Sequence, residues 1–324
     1  MIANPTRSTG EPGEFVTVVT AKDIVADNVA VVELEPAKGE RLPAWTPGAH
    51  LDLVLEPDLV RQYSLCGDPE KPGSWRIGVL REAGGRGGSI HVHDRVEVGD
   101  KIRCRGPRNN FPLVTASEYV FLAGGIGITP ILPMIAHCTA RDRPWSLVYG
   151  GRSRGSMAFL DELAGYGDRV AVRAQDEHGH IDLAAALGEP RDGVAIYCCG
   201  PAPLIAAVEE HCTAWPDGTL HVERFRAAEN VLDGEHTAFE VVCDYSDMVV
   251  GVPAGQTIVD ALAEAGIEVP TSCREGTCGT CETVVLDGVP DHRDSYLSPQ
   301  ERATNEVMTP CCSRSLTPRL VLDL

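Results

Sequence analysis

The feature that most constrains the fold of this chain is a group of closely spaced cysteines in its C-terminal third. Cys273, Cys278 and Cys281 lie in SCREGTCGTCE with the spacing C-x4-C-x2-C, and Cys311 follows after a long interval. This is the plant-type spacing for a [2Fe-2S] cluster. Glycines within the loop permit the tight backbone turns that let three thiolates converge. The sequence therefore predicts a C-terminal domain built around an iron-sulfur cluster.

Two alternatives stay open at this motif. Four cysteines can also bind zinc, although zinc sites favour repeated C-x2-C pairs. The fourth ligand is ambiguous as well, because Cys311 and Cys312 are adjacent. The 29 residues between Cys281 and Cys311 match the last interval of plant-type ferredoxins. We therefore predict Cys311 as the ligand and expect Cys312, on the opposite side of an extended segment, to pack inward.

The composition narrows the class of protein. The 324 residues include 28 basic and 47 acidic side chains, for a formal net charge of -19. Such a charge repels phosphate backbones, so we expect no nucleic-acid binding. No window approaches the roughly 18 to 20 apolar residues of a membrane span, and the N-terminus lacks a signal or transit pattern. We expect a cytoplasmic protein that does not enter membranes, in which the 12 cysteines are thiols or metal ligands rather than disulfides.

Three regions of the chain have different hydrophobic patterns. Residues 1–113 contain short alternating runs separated by Gly, Pro and Asp turns, which predicts an antiparallel β-barrel. In residues 114–227 apolar strands alternate with helical segments, which predicts a doubly wound parallel α/β sheet. Residues 228–237 are polar and predict a linker. Residues 238–324, with a hairpin, a helix and a final strand around the cysteines, predict a small α+β domain.

Two motifs in the first region pair a polar strand with a glycine-rich turn. RQYSLCGDP is a strand that contains Arg61, Gln62, Tyr63 and Ser64. Further on, GRGGS provides Arg86, Gly87, Gly88 and Ser89 at the start of a short predicted helix. Backbone N-H groups at a helix N-terminus bind phosphate. A barrel strand followed by an ordinary glycine loop is the alternative.

Two strand-to-helix junctions in the second region predict a nucleotide site. AGGIGITPILPMI, which contains Gly124, Gly125, Gly127, Thr129 and Pro130, follows an apolar strand and opens a helix. It departs from the G-x-G-x-x-G fingerprint because a proline replaces the last glycine. CCGPAPLI forms the second junction, with Cys199, Gly200 and Pro201. The glycines allow a pyrophosphate to approach the backbone.

The order and spacing of these motifs resemble the phthalate dioxygenase reductase group, which includes the vanillate O-demethylase reductases. The resemblance extends over essentially the whole chain and also rests on HVERF, DHRDSYLS and PCCSRS. It implies a flavin barrel, an NAD domain and a β-grasp, plant-type [2Fe-2S] ferredoxin domain. It further implies a reductase that passes electrons from NADH through flavin to the cluster and on to a Rieske-type terminal oxygenase.

The resemblance also implies roles for particular residues. Arg61, Gln62, Tyr63 and Ser64, with Gly78 and Val79 between the two motifs, would contact the flavin, and Phe225 would pack against it. Arg86 and Ser89 would bind the flavin's phosphate as a terminal monophosphate, which favours FMN over FAD. Thr129 and Cys199 would lie beside the reacting nicotinamide.

The choice between NADH and NADPH is less constrained. Arg152 and Arg154 follow a strand where a 2′-phosphate can bind, whereas Asp176 argues for NADH. The resemblance favours NADH. Two alternatives stay open for the function of the whole chain: a freestanding NAD(P)H:acceptor reductase and a noncatalytic iron-sulfur redox sensor. For a protein partner, the expected docking patch contains the acidic residues Glu275 and Glu282.

Overall fold

The structure, a computed structural model, describes residues 13–39, 41–57, 59–71, 73–226 and 237–324. The chain divides into two compact units, residues 1–223 and 224–324. The first unit contains two large sheets and the second a smaller one. The predicted linker at 228–237 lies outside the described residues except for Thr237. The three-region boundaries drawn from the sequence stay predictions.

The first sheet of unit 1 is an antiparallel barrel. Its strands are β1 (Glu14–Ala26), β2 (Val29–Pro36), β3 (Ala49–Glu56), β4 (Leu59–Ser64), β5 (Trp75–Leu80) and β6 (Lys101–Asn109), and helix α1 (Gly88–Arg95) follows β5. They are arranged in the order β4-β3-β6-β1-β2-β5. A bridge between Leu65, just after β4, and Ile77 of β5 joins the two outer strands. Alternate residues such as Leu51 and Leu53 point inward and are fully buried, so the predicted barrel is confirmed.

The second sheet of unit 1 is parallel. Its strands are β7 (Glu118–Gly124), β8 (Trp145–Gly151), β9 (Val170–Ala174), β10 (Val194–Cys199) and β11 (Leu220–Glu223). Its helices are α2 (Ile131–Ala140), α3 (Leu160–Ala164), α4 (Gln175–His178), α5 (Leu183–Leu187) and α6 (Ala202–His211). The order β11-β10-β7-β8-β9 means that the chain starts in the centre, moves to one edge and returns to fill the other. The predicted doubly wound sheet is confirmed, and its strands all end at one edge.

Separate apolar clusters cover the two faces of this parallel sheet. One contains Phe121, Tyr197 and residues of α2, and the other contains Leu122, Ile196 and residues of α6. Both faces are buried because the strands are apolar at nearly every position, as in β10, where all six residues are buried. The strand ends are therefore held rigidly, which suits them to position a ligand.

Unit 2 is a small α+β domain. Its strands are β12 (Phe239–Cys243), β13 (Met248–Val252), β14 (Thr283–Asp287), β15 (Pro290–Asp291), β16 (Val307–Met308), β17 (Arg314–Ser315) and β18 (Arg319–Leu322), and its helices are α7 (Ile258–Glu264) and α8 (Pro299–Thr304). The main sheet has the order β13-β12-β18-β14-β16. Ile258 and Leu262, which the sequence places on one face of α7, are fully buried in its core. Among the described residues, no helix combines the length and apolarity needed to cross a membrane.

Candidate flavin, nucleotide and iron-sulfur sites

The four predicted cluster cysteines converge in unit 2. Cys273, Cys278, Cys281 and Cys311 are all buried. The Cys273 thiol contacts those of Cys278 and Cys311, and the Cys311 thiol also contacts that of Cys281. Residues separated by some 30 positions are thus brought to one point at the start of β14. This donor set fits a [2Fe-2S] cluster, which is held by four cysteine thiolates.

The loop backbone directs N-H groups at two of these sulfurs. The N-H groups of Glu275 and Thr277 donate to Cys273 Sγ at 3.4 Å each, and the N-H of Thr280 donates to Cys278 Sγ at 3.4 Å. Contacts with the neighbouring thiols and these backbone donors lower the pKa of Cys273. Hydrogen bonds to the sulfurs are also one of the ways in which a protein sets the potential of a cluster.

Two glycines shape this loop. Gly276 and Gly279 have φ of +69° and +67°, in the left-handed region. A Cβ on Gly276 would lie 2.4 Å from Cys312 Sγ, and one on Gly279 would lie 2.1 Å from the ring of Tyr296. Any side chain at either position would therefore strain the backbone and collide with a neighbour.

The geometry distinguishes the two adjacent cysteines. Cys312 Sγ lies 3.4 Å from Thr309 Oγ1 and packs against Gly276, whereas the Cys311 thiol contacts those of Cys273 and Cys281 as well as that of Cys312. This supports Cys311 as the fourth ligand. The two cysteines lie in a turn, so the extended segment expected from the sequence was wrong.

The two sequence motifs proposed for flavin meet in the barrel. Arg61, on β4, donates to the backbone oxygen of Arg86 at 2.5 Å. A Cβ on Gly88 would lie 2.3 Å from Arg61 Cγ, so only glycine lets the loop approach the arginine this closely. Tyr63 is on the same strand, and burial raises the pKa of its hydroxyl. The two motifs therefore form one site.

The start of helix α1 is suited to a phosphate. Gly87 precedes the helix, whose first turn presents backbone N-H groups that have no partner within the helix. Ser89 Oγ accepts from the N-H of Glu82 at 3.0 Å, which leaves its proton available to donate. Arg86 immediately precedes this turn. The residues fit the terminal phosphate of a flavin mononucleotide.

The remaining predicted flavin residues have supporting positions. Gln62 donates to the buried carboxylate of Asp52 at 2.9 Å. Arg108 donates to the same carboxylate at 2.5 Å. Ser64 ends β4 and is buried. The Val79 side chain is fully buried in the barrel core and its backbone oxygen lies 2.9 Å from His93 Nε2, so contact of Val79 with flavin stays a prediction.

We expect Arg61→Gln to lower FMN affinity about tenfold, or about 1.4 kcal/mol, because it removes the contact that joins β4 to the phosphate turn. The flavin-to-protein ratio of the purified variant, followed by titration with FMN, measures this. Arg105→Gln is the matched control, because Arg105 pairs with Glu14 on the exposed barrel surface at 3.2 Å. Equal FMN affinity in both variants would remove Arg61 from the site.

The two predicted nucleotide turns are in direct backbone contact. A Cβ on Gly127 would lie 2.2 Å from the carbonyl oxygen of Cys199. One on Gly124 would lie 2.6 Å from Pro201 Cδ, and one on Gly200 would lie 3.0 Å from Gly124 Cα. The contact lies between β7 and β10, where the strand order reverses. Ligands of doubly wound sheets bind at this point, and the residues fit a dinucleotide.

Thr129 connects this turn to the barrel. Its hydroxyl donates to the backbone oxygen of Ile126 at 2.9 Å. A Cβ on Gly78, in β5, would lie 2.8 Å from its methyl group. Pro130 follows as the residue that precedes α2. Gly78 thus allows the nucleotide turn to lie against the barrel strand that the sequence assigns to flavin contact.

The structure adds one residue that the sequence left unassigned. Glu223 is the neighbour of Cys199 across β10 and β11. Burial raises the pKa of Glu223 to about 8, and its Oε2 is buried without a hydrogen-bond partner among the described residues. The carboxyl group can therefore hold a proton at neutral pH, next to the nucleotide turn. The sequence feature that could have identified Glu223 is its position at a strand end in the HVERF motif.

Two other predicted residues are less clearly placed. Cys199 is fully buried, and burial raises the pKa of its thiol well above its usual value, which favours a packing role. Phe225 lies just inside unit 2 and is 40% exposed. Catalytic roles for Thr129 and Cys199, and contact of Phe225 with flavin, stay predictions.

Comparison with known families agrees with two of these sites. Residues 241–316 match the 2Fe-2S iron-sulfur cluster binding domain, and residues 121–210 match the oxidoreductase NAD-binding domain. The chain is 44% identical over 301 residues to phenoxybenzoate dioxygenase subunit beta of Ectopseudomonas oleovorans, covering 92% of this chain and 94% of that protein.

Two solved structures resemble the chain along its length. Phthalate dioxygenase reductase, described as a modular structure for electron transfer from pyridine nucleotides to [2Fe-2S], has a TM-score of 0.73 and 34% identity over 96% of this chain and 98% of that one. An intact type IV self-sufficient cytochrome P450 monooxygenase has a TM-score of 0.87 and 42% identity over 96% of this chain, which spans 41% of that protein.

The fold and its three sites define a flavin and iron-sulfur oxidoreductase that uses NADH, with FMN and a [2Fe-2S] cluster as cofactors. More specifically, the chain belongs to the family of phthalate dioxygenase reductases and vanillate O-demethylase reductases. This family membership confirms the resemblance seen in the sequence. In this family, electrons pass from NADH through the flavin to the cluster.

Proposed function

We propose that the physiological electron acceptor is a Rieske-type terminal oxygenase carried on a separate chain. The observation that carries this proposal is the match, over 94% of that protein, to phenoxybenzoate dioxygenase subunit beta, whose name makes it one subunit of a dioxygenase. Phthalate dioxygenase reductase has the same extent. The substrate of the system would then bind the oxygenase rather than this chain.

The described residues supply the positions that such a reductase needs. NADH delivers two electrons as a hydride and the cluster accepts one at a time, and a flavin between them couples the two. Gly124–Thr129 and Gly200–Pro201 hold the nucleotide at the sheet edge. Arg61, Tyr63 and Ser64 orient the flavin ring.

The cluster domain has the charge expected for recognition of a protein. Residues 237–324 contain 14 acidic side chains, five arginines and no lysine, a net formal charge of -9. Glu275 lies in the cluster loop and Glu282 follows its third cysteine, where it is exposed. We infer that these two residues form part of the docking patch. A basic acceptor surface would be attracted to it, mainly through a faster encounter.

Charge reversal tests this patch. We expect Glu275→Lys with Glu282→Lys to slow electron transfer to the oxygenase about tenfold at low salt and to reduce its salt dependence. Stopped-flow oxidation of the reduced reductase by the oxygenase measures the rate. Glu264→Lys with Glu268→Lys, two exposed residues at the end of α7 and just after it, makes the same change in net charge and is the control. An unchanged rate and salt slope would place docking elsewhere.

A cytochrome P450 is the second candidate acceptor, because 96% of this chain matches part of a self-sufficient P450 at 42% identity. The test is reconstitution of NADH-driven substrate oxidation with the terminal oxygenases encoded beside this protein. Activity with a Rieske protein supports the first proposal. Activity only with a P450 overturns it.

We also place the protein in the cytoplasm. The 12 cysteines, all of them among the described residues, form no disulfide in the structure. Cysteines in this number without disulfides fit a reducing compartment. Fractionation of the native host, with the iron-sulfur absorbance as the marker, tests the assignment.

A further inference from the structure

We propose that Glu177 determines the preference for NADH over NADPH by engaging Arg154, the cation that a 2′-phosphate would otherwise bind. The proposal concerns the nucleotide and not the oxygenase. It therefore holds or fails independently of the partner proposed above.

The position of this pair follows from the sheet. Strand β8 lies next to β7, which carries the first nucleotide turn, and β9 lies next to β8. Gly151 and Ala174, at the carboxyl ends of β8 and β9, are partners in register. The N-H of Asp176 donates to the backbone oxygen of Arg152 at 3.2 Å. The segments that follow these two strands therefore lie side by side at the edge that holds the dinucleotide.

Residues at this edge discriminate between the two nucleotides in doubly wound folds. An acidic side chain accepts from the ribose 2′-OH of NAD, whereas an arginine accommodates the 2′-phosphate of NADP. This chain has both types of residue here. Arg152 and Arg154 follow β8, and Asp176 and Glu177 follow β9.

The structure shows how the two types are combined. Arg154 Nε lies 3.1 and 3.0 Å from the two carboxylate oxygens of Glu177. The guanidinium Nε is thereby paired with a carboxylate, whose Oε2 also lies 3.7 Å from His178 Nδ1. A dianionic 2′-phosphate that approached Arg154 would compete with Glu177 for the guanidinium and would be repelled by its carboxylate.

The expected effect is moderate because the site is partly open to solvent. The Arg154 and Glu177 side chains are 53% and 42% exposed. Exposed ion pairs contribute little to stability, so breaking this pair leaves the fold intact. Charge-assisted hydrogen bonds from a freed arginine to a phosphate are stronger than those between neutral groups. Together with the lost repulsion, we expect about a tenfold change in preference.

The experiment uses the full-length holoprotein with ferricyanide as the acceptor. We expect Glu177→Gln to raise the ratio of kcat/KM for NADPH to that for NADH about tenfold. In the Arg154→Gln, Glu177→Gln double variant the ratio should return to within about threefold of the parent. The ratio of the two inhibition constants for 2′,5′-ADP and 5′-AMP, which differ only in the 2′-phosphate, should shift in parallel, which a general effect on structure would not produce.

Glu118→Gln is the matched control. Glu118 pairs with Arg191 at 2.7 Å, at the opposite end of the same sheet. It makes the same chemical change away from the nucleotide edge and should leave the ratio unchanged. An unchanged ratio in Glu177→Gln overturns the proposal. An equal gain in the double variant also overturns it, because the gain would then not pass through Arg154.

Discussion

Cys311→Ser is expected to remove the [2Fe-2S] cluster and to lower NADH-driven reduction of cytochrome c by about 100-fold or more. The thiol of Cys311 contacts those of Cys273 and Cys281, so its loss leaves the cluster with three protein ligands. Reduction of ferricyanide should largely persist, because that acceptor can take electrons from the flavin. Iron content and the visible spectrum measure the loss of the cluster. The two acceptor assays measure the loss of cytochrome c reduction and the retention of ferricyanide reduction.

Cys312→Ser is the control for this substitution. It changes the adjacent thiol, which lies against Thr309 and Gly276. We expect it to keep the cluster and most of the cytochrome c activity. If Cys312→Ser lost the cluster while Cys311→Ser retained it, the order of ligands inferred from the geometry would be wrong.

The second large effect is expected for Gly127→Ala. Its Cβ would lie 2.2 Å from the carbonyl oxygen of Cys199 and 2.5 Å from the carbonyl carbon, so two backbone segments must separate. Overpacking of this kind costs about 1 to 3 kcal/mol of stability. A displacement of about 1 Å at the nucleotide turn can cost about 100-fold in kcat/KM for NADH. Thermal unfolding and NADH–ferricyanide kinetics measure the two effects.

Gly165→Ala serves as its control. Gly165 has an ordinary helical backbone, and an added Cβ would meet only the Glu162 carbonyl oxygen at 3.5 Å. Stability and kinetics should therefore remain close to those of the parent. Parental NADH kinetics in Gly127→Ala would mean that the two turns do not share a nucleotide.

Much of the fold could be predicted because its signals are local. Alternating residues along β3 and β5 indicate a barrel, and the continuous apolar run of β10 indicates a sheet covered on both faces. The cysteine spacing has few alternative structural explanations, since three thiols on one short loop must serve a common centre. The glycines of both nucleotide turns were identified for the same reason.

The remainder depends on contacts between residues far apart in sequence. Nothing in the order of residues shows that Gly127 touches the carbonyl of Cys199, that Arg61 reaches the backbone of Arg86, or that Glu177 pairs with Arg154. These contacts arise only when strands are placed in register. Glu223 went unassigned because a strand-end glutamate is usually exposed, and its raised pKa comes from burial in the folded state.

The backbone contact between Gly124 and Gly200 limits how this enzyme can change its coenzyme. Where two main chains touch, there is no side chain to exchange. Substitutions at the proposed pyrophosphate site therefore cannot change the coenzyme preference. The proposed ribose site consists instead of exposed, replaceable side chains that follow β8 and β9, one and two strands away from β7. We therefore expect engineering or natural divergence toward another nicotinamide coenzyme to occur by substitutions after the outer strands, while the residues at the centre of the sheet stay unchanged.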